Sequence, residues 1–460
     1  VSKSRFSFDD RMTRNMVVLS DFGLSSGKVV RGEPFKVSVG FGYSLASPEV
    51  TGRFDLTGQG KAVLEAMQFA FENATVKTTG SGKGLPVKEF QAQYTGGLKV
   101  DVNKKVFSGE KLTFSATGKG GVLPDAGAGF NLALDAKADL TAGTADVTGL
   151  SLDVMGFVLS GEVHAKGLNA SATVQAAMAT NEFNPRQVLE RFGVTIQESG
   201  PARASFTAEA DMGKGTADVK DVKIRALGLD IASEVHATEI SGDPKVRGSV
   251  AVAEFNPRKL MAALGDPLPA MADPAALTRF SLAYSFEGKG DTFSMRTTGF
   301  KLDDTNMTLT ASVRKGPKPK VDFAFKADAL NADRYMPKEG EAKAAPAKKE
   351  AGKPVDVPAD VTGTVEVGSL TASKLHMQNV AARIAIKDNV LDVNPATVSL
   401  YQGSVKATAR TDVRGGPTAP LALTVNADGI QVEPLLRDMT GKARLRSEEH
   451  TSELQSHSDL

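Results

Sequence analysis

The chain of 460 residues contains no cysteine. That excludes disulfides, thiolate chemistry and cysteine-bound zinc, and leaves the redox compartment undecided. It contains no tryptophan and only 6% aromatic residues, too few for the girdles that seat a barrel in an outer membrane. Charge of one sign is missing as well. With 55 basic against 54 acidic residues, there is no electrostatic footprint for nucleic acid, and no nucleic-acid partner is expected. The longest apolar runs, such as 66–71, fall well short of the roughly 20 residues that a spanning helix needs, and the first residues carry no secretory signature. Because the sequence opens on Val1, an upstream targeting or anchoring segment is expected to be missing from it.

What the sequence does have is repetition. GTADV begins at Gly143 and Gly215, EVHA at Glu162 and Glu234, and EFNPR at Glu182 and Glu254, each pair 72 residues apart. Three matches at one spacing mark a tandem duplication, the signature of a quasi-one-dimensional protein whose units bury apolar surface against their neighbours.

Alternation of period two, the mark of a half-buried strand, recurs along the chain. Leu98, Val100 and Val102 alternate with Lys99, Asp101 and Asn103, and the same pattern continues to Leu421, Leu423 and Val425. Gly, Asn and Asp punctuate the strands at hairpin spacing, as in Lys387-Asp388-Asn389. Helical signal is brief and recurs at equivalent places. Asn184 and Asn256 can cap, Pro185 and Pro257 suit a first helical position, and Gly193 and Gly265 can stop the turn. Weaker echoes follow at 330–337 and 430–441, and Val63, Leu64, Met67 and Phe71 sit at helical spacing within 59–71.

The fold class expected is all-β with short helices, in which tandem β-groove repeats form an elongated curved sheet, a U-shaped trough. Residues 1–121 form an N-terminal β-repeat region, 122–194, 195–265 and 266–337 three β-groove repeats, and 359–445 a last β-repeat. Between them, 338–358 (KEGEAKAAPAKKEAGKPVDVP) has almost nothing to bury and is expected to be a solvated linker that separates a large body from the last repeat. Residues 446–456 (RSEEHTSELQS) are the translation of a sequencing-library adapter, so 446–460 is set apart from the fold.

Chemistry of the enzymatic kind is not expected. His164 and His236 occupy equivalent places in two repeats and should lie a full unit apart, and His376 stands alone, so no shared metal or catalytic site follows. Asp303 and Asp304 are neighbours that cannot face one proton, and are expected to be solvated hairpin acids. Residues 80–84 (GSGKG) lack phosphate-loop spacing and are expected to be a loop. No cofactor and no metal are expected, and the chain is not expected to be an enzyme.

The order of FNPR-type strand ends, DPAALTRFSL (273–282), KLDDTNMTLTASV (301–313), LNADRYMP (330–337), VSLYQGSVKATARTDVRG (398–415) and LLRDMTGKARL (435–445) resembles the AsmA family. The resemblance runs from about residue 6 to 445 and is clearest from Gly143 onward. It implies a periplasmic protein of two-membrane bacteria, anchored to the inner membrane, whose β-grooves bind phospholipid acyl chains. Phospholipids, the inner membrane through the missing N-terminal anchor, and outer-membrane or envelope proteins would be its partners. The family pattern carries no catalytic residues.

The strands lead to a similar place without the resemblance. A long sheet with one apolar face must cover it with a second sheet, close into a barrel, or curl into a trough that something apolar fills. If each 72-residue unit supplies about five or six strands about 4.8 Å apart, it adds about 25 Å. Exposing two acyl chains to water costs up to about 20 kcal/mol at about 0.8 kcal/mol per methylene, which such a trough would remove. The candidate groove lining is Phe280, Leu282, Tyr284 and Phe286, then Met307 and Leu309, then Phe323 and Phe325. It continues through Val365, Val367, Ile384, Ile386, Val398 and Leu400 to Leu421, Leu423 and Val425. Alternation alone does not separate a lined trough from a filled core, so a non-transporting β-scaffold or assembly factor is the competing expectation. An outer-membrane barrel and a β-helix lyase fit less well.

Overall fold

The structure, a computed structural model, describes residues 3–10, 15–83, 85–121, 123, 127–154, 156–190, 195–197, 200–338, 357–414 and 419–440. By contacts the chain divides into two units, Val1–Leu268 with Glu287–Gly290, and Pro269–Phe286 with Asp291–Leu460.

The first unit is a meander of fifteen strands: β1 (Ser4–Asp10), β2 (Asn15–Ser26), β3 (Phe35–Ala46), β4 (Glu49–Val63), β5 (Gln68–Lys83), β6 (Glu89–Asp101), β7 (Val106–Lys119), β8 (Ala128–Asp139), β9 (Thr144–Val154), β10 (Phe157–Lys166), β11 (Thr173–Thr180), β12 (Arg203–Asp211), β13 (Thr216–Ala226), β14 (Leu229–Thr238) and β15 (Lys245–Phe255). Each pairs antiparallel with the next. Among the described residues no pairing joins β1 to β15, so the ladder stays open.

Two helices interrupt it, α1 (Pro185–Glu190) after β11 and α2 (Pro257–Ala263) after β15. Their N-terminal caps are those expected from the sequence, and the expected stop at Gly193 lies outside the described residues. Asn184 Oδ1 accepts the Arg186 N–H at 3.0 Å and Asn256 Oδ1 the Lys259 N–H at 3.1 Å, each prolyl ring opens its helix, and Gly265 follows α2 in the left-handed region. The repeat is therefore four strands and a helix, β8–β11 with α1 and then β12–β15 with α2. At about 4.8 Å per strand one copy adds about 19 Å, which corrects the expectation of five or six strands and 25 Å. Strands of eight to twelve residues, with their turns and helix, leave no room in 72 for more.

Most ladders in this unit shift register near mid-strand. Asp21, Asn73, Lys111 and Asp221 stand at such shifts with φ near +50°, and Gly149 with φ +59° occupies the position in β9 that Asp221 occupies in β13. A bulge adds one residue to one strand and bends it. One expectation fails here, and one segment left open between helix and strand is resolved. The helical spacing within 59–71 yields only a 3-10 turn at Leu64–Ala66 between two strands, because Phe69 and Phe71 also satisfy strand alternation. Residues 80–83 of GSGKG continue β5 rather than forming a loop.

The second unit holds residues 280–286 of β16 (Phe280–Lys289), then β17 (Thr292–Leu302), β18 (Thr305–Arg314), β19 (Lys320–Asn331), β20 (Asp360–Ala372), β21 (Leu375–Lys387), β22 (Val390–Leu400), β23 (Gly403–Asp412) and β24 (Leu421–Asp428), closed by α3 (Val432–Thr440). The Asp388-Asn389 pair forms the tight β21–β22 turn with φ +51° and +65°, as hairpin chemistry requires. One pairing departs from the meander. β19 and β20 run parallel, from Lys320↔Asp360 to Asn331↔Thr371. Parallel neighbours cannot be joined by a tight turn, because the chain must return the length of a strand, roughly 40 Å here. That is the reason for a long polar segment at 338–358, of which 339–356 lies outside the described residues. It corrects the expectation of a separated last repeat: β20 adds directly to the edge of β19.

Candidate functional site

The registers of the second unit carry one face across its strands. Phe293 and Met295 of β17 face Val313 and Ala311 of β18, and Met307 and Leu309 face Ala327 and Phe325 of β19. Phe323, Phe325 and Ala327 then face Gly363, Val365 and Val367 of β20, which face Ile384, Ala382 and Val380 of β21. Ile384 and Ile386 face Val393 and Leu391 of β22. Val398 and Leu400 face Val405 and Gly403 of β23, and Ala409 and Ala407 face Leu423 and Val425 of β24, with Leu421 opposite Thr411. Ring contacts bring β16 onto the same side: Phe286 stacks on Phe293 with centroids 5.8 Å apart, and Phe280 meets Phe300 edge-on at 5.9 Å. Leu282 and Tyr284 alternate with these two rings and so share their face.

All the candidate lining residues therefore lie on one side of the second unit. The sequence reasoning missed their partners on that side, Val361, Val380, Leu391 and Val393, although each sits in the same alternation.

This face is not packed like a core. Val367 and Ala327 are 7% exposed, most of the others are half-buried, and Leu421, Leu423 and Val425 are 59%, 58% and 53% exposed. Among the described residues no large side chain is fully buried. A filled β-sandwich of this size would bury leucines and phenylalanines outright.

The first unit carries a comparable face that the sequence reasoning did not single out. Phe41 stacks on Phe54 at 4.9 Å and on Phe22 at 6.1 Å, and Phe114 meets Phe130 at 5.6 Å. The signal was present as phenylalanine alternating with glycine, as in FGYSL from Phe41.

The opposite side is polar and paired. His164 Nδ1 lies 2.7 Å from Asp146 Oδ1, and His236 Nδ1 lies 2.8 Å from Asp218 Oδ1. The hydrogen bond from Asp146 raises the His164 pKa against a smaller opposing effect of burial, and His236 holds Asp218 below the usual carboxylate range. Four strands, about 19 Å, separate β10 from β14, so the two histidines form no common site. Lys99 pairs with Glu110 on the polar side of the first unit, and Lys326 with Glu366 on that of the second. Among the described residues, no group of three or more His, Asp or Glu side chains could hold a metal. No described helix is long and apolar enough to cross a membrane.

One polar cluster is buried. Asp303 is 7% exposed, which corrects its assignment as a solvated acid. Its carboxylate accepts the backbone N–H groups of Leu277 at 2.8 Å, Thr278 at 3.0 Å and Arg279 at 3.1 Å, and the Tyr335 hydroxyl at 2.9 Å. Asp304, by contrast, stays exposed and pairs with Arg279 and Arg334. Arg334 also reaches Asp273 at 2.6 Å. The cluster ties the segment before β16, the β17–β18 turn and the 3-10 turn at Ala332–Tyr335 into one knot. Its charged groups are paired with one another.

The described strands of each unit thus carry an apolar, partly exposed face and a polar, paired one. The family model described as the AsmA family matches residues 1–459, and the chain belongs to that family. Searches of curated proteins and of solved structures return no match.

Proposed function

We propose that the chain is a lipid-transfer protein whose apolar face holds phospholipid acyl chains and lets them slide between two membranes. The observation that carries this reading is a continuous apolar face whose large side chains remain only partly covered. A half-exposed leucine, isoleucine or phenylalanine forgoes roughly 1 kcal/mol of transfer free energy. Over the second unit's candidate lining that leaves on the order of 15 kcal/mol as an upper bound for an apolar occupant to take up, comparable to the cost of exposing two acyl chains. Membership of the AsmA family supports a role in the bacterial envelope. In this reading the protein works in the periplasm, anchored to the inner membrane by a segment upstream of Val1, serves outer-membrane biogenesis and lipid homeostasis, and performs no chemistry.

The test is charge placed on the face. Leu282→Asp together with Ile384→Asp, in the full-length protein in cells, should abolish photo-crosslinking of phospholipid to strands beyond the substitutions while the far-ultraviolet circular dichroism stays that of the parent. Unchanged crosslinking would rule out the conduit and leave a scaffold.

A further inference from the structure

Glycine interrupts β4 and β5 at places where the backbone does not ask for it. Gly52, Gly58, Gly60 and Gly80 all lie outside the left-handed region, so any residue could adopt their conformation. In mid-strand a glycine costs roughly 0.5–1 kcal/mol relative to alanine. Something other than backbone geometry keeps them.

What lies over each is an aromatic ring from the apolar face. A Cβ added at Gly60 would sit 2.9 Å from the Phe35 ring, one at Gly58 2.7 Å from Phe71, and one at Gly80 2.4 Å from Phe90. Tyr43 makes the geometry plainest. From β3 its ring crosses Gly52 of β4, and its hydroxyl donates to the Thr79 carbonyl of β5 at 3.0 Å. A side chain whose tip reaches the next strand but one lies flat on the sheet. Gly60 and Gly80 are buried while Phe35, Phe90 and Tyr43 are half-buried, so each ring rests one face on glycine and turns the other outward.

We infer that these glycine–ring pairs set the depth of the lipid channel: the rings laid on glycine are its floor, and they fix how many acyl chains it holds. The inference rests on the lipid-transfer reading above. A side chain at Gly60 would lift Phe35 off the sheet and into the space an acyl chain occupies, and removing that ring would give the space back.

The experiment is native mass spectrometry, with fatty-acid quantification, of the full chain purified from the bacterial envelope in mild detergent. Gly60→Val should lose at least half of the acyl chains bound per protein, and Gly60→Val with Phe35→Ala should regain them. If Gly60→Val does not fold, Gly363→Val with and without Phe323→Ala gives the same readout, since a Cβ at Gly363 would meet the Phe323 ring at 2.4 Å. A folded glycine variant with the parent's full complement of acyl chains, or a double variant that stays depleted, would overturn the floor. A parent protein carrying no acyl chains would instead overturn the lipid reading itself, and the floor with it.

Discussion

Replacing Asp303 by asparagine should loosen the second unit by about 3 kcal/mol at neutral pH. The native carboxylate accepts three backbone N–H groups and the Tyr335 hydroxyl. Asparagine keeps one oxygen and turns an NH2 group toward donors, so about half of these contacts are lost, at about 1.5–3 kcal/mol for each hydrogen bond to a charged acceptor. Burial alone would raise the Asp303 pKa, but the N–H groups of Leu277, Arg279 and Thr278, together with Tyr335, hold it below the usual carboxylate value. The same burial, with the neighbouring carboxylate, pushes Tyr335 up to about 12. A carboxylate with a depressed folded pKa contributes stability that is fully present above its unfolded pKa, near 3.9, and that is lost as pH falls through the folded value. The gap between parent and Asp303→Asn should therefore be full at pH 7 and shrink in acid. Urea unfolding followed by circular dichroism measures it; with a slope of about 3 kcal/mol per molar, the midpoint should drop by about 1 M at pH 7. Equal midpoints at pH 7, or a gap that persists undiminished well below pH 3, would refute the knot.

The bulge at Gly149 should resist a side chain: Gly149→Val places a β-branched residue at φ +59° and should cost about 1–2 kcal/mol in urea unfolding, with little change at the neighbouring Thr148→Val. Leu423→Asp lies on an exposed strand and should leave stability within about 0.5 kcal/mol, yet lower acyl-chain crosslinking at β24. On the polar side, His164 gains its raised pKa first from the Asp146 hydrogen bond. Its contribution is present below the ordinary histidine value, about 6.5, and is lost as pH rises through the folded one, so His164→Gln should remove a decline in stability on the alkaline side of that value without changing bound lipid.

Strand alternation made the all-β class and the shared face of residues 280–425 legible, because period two is a local property that survives whatever the strands pack against. Strand number was less so. Alternation says where a strand runs but not how far, and the lengths of β8–β11 left room for four strands rather than five or six. The bulges were hidden because aspartate, asparagine and lysine occupy many of their positive-φ positions, and among the described residues Gly96 and Gly149 carry the residue that usually marks one. Asp303 looked like any turn acid since its donors come from Leu277 to Arg279 and from Tyr335, brought in by the chain's return. GSGKG looked like a loop because glycine in a strand signals nothing until the ring above it is seen.

The repeated words themselves carry a physical message. GTADV supplies a turn glycine and Asp146 or Asp218, EVHA the histidine that pairs with it, and EFNPR the helix cap. These are frame elements that must meet a specific partner. The positions between them drift: Leu159 and Gly161 of β10 become Ile231 and Ser233 in β14, opposite Thr180 and Met178 in one copy and Val252 and Val250 in the other. A filled core holds its volumes against fixed neighbours, and exchanging glycine for serine there with no second layer to adjust would be costly. A face that meets a fluid occupant needs only to stay oily on average, and that is the kind of drift these two copies display.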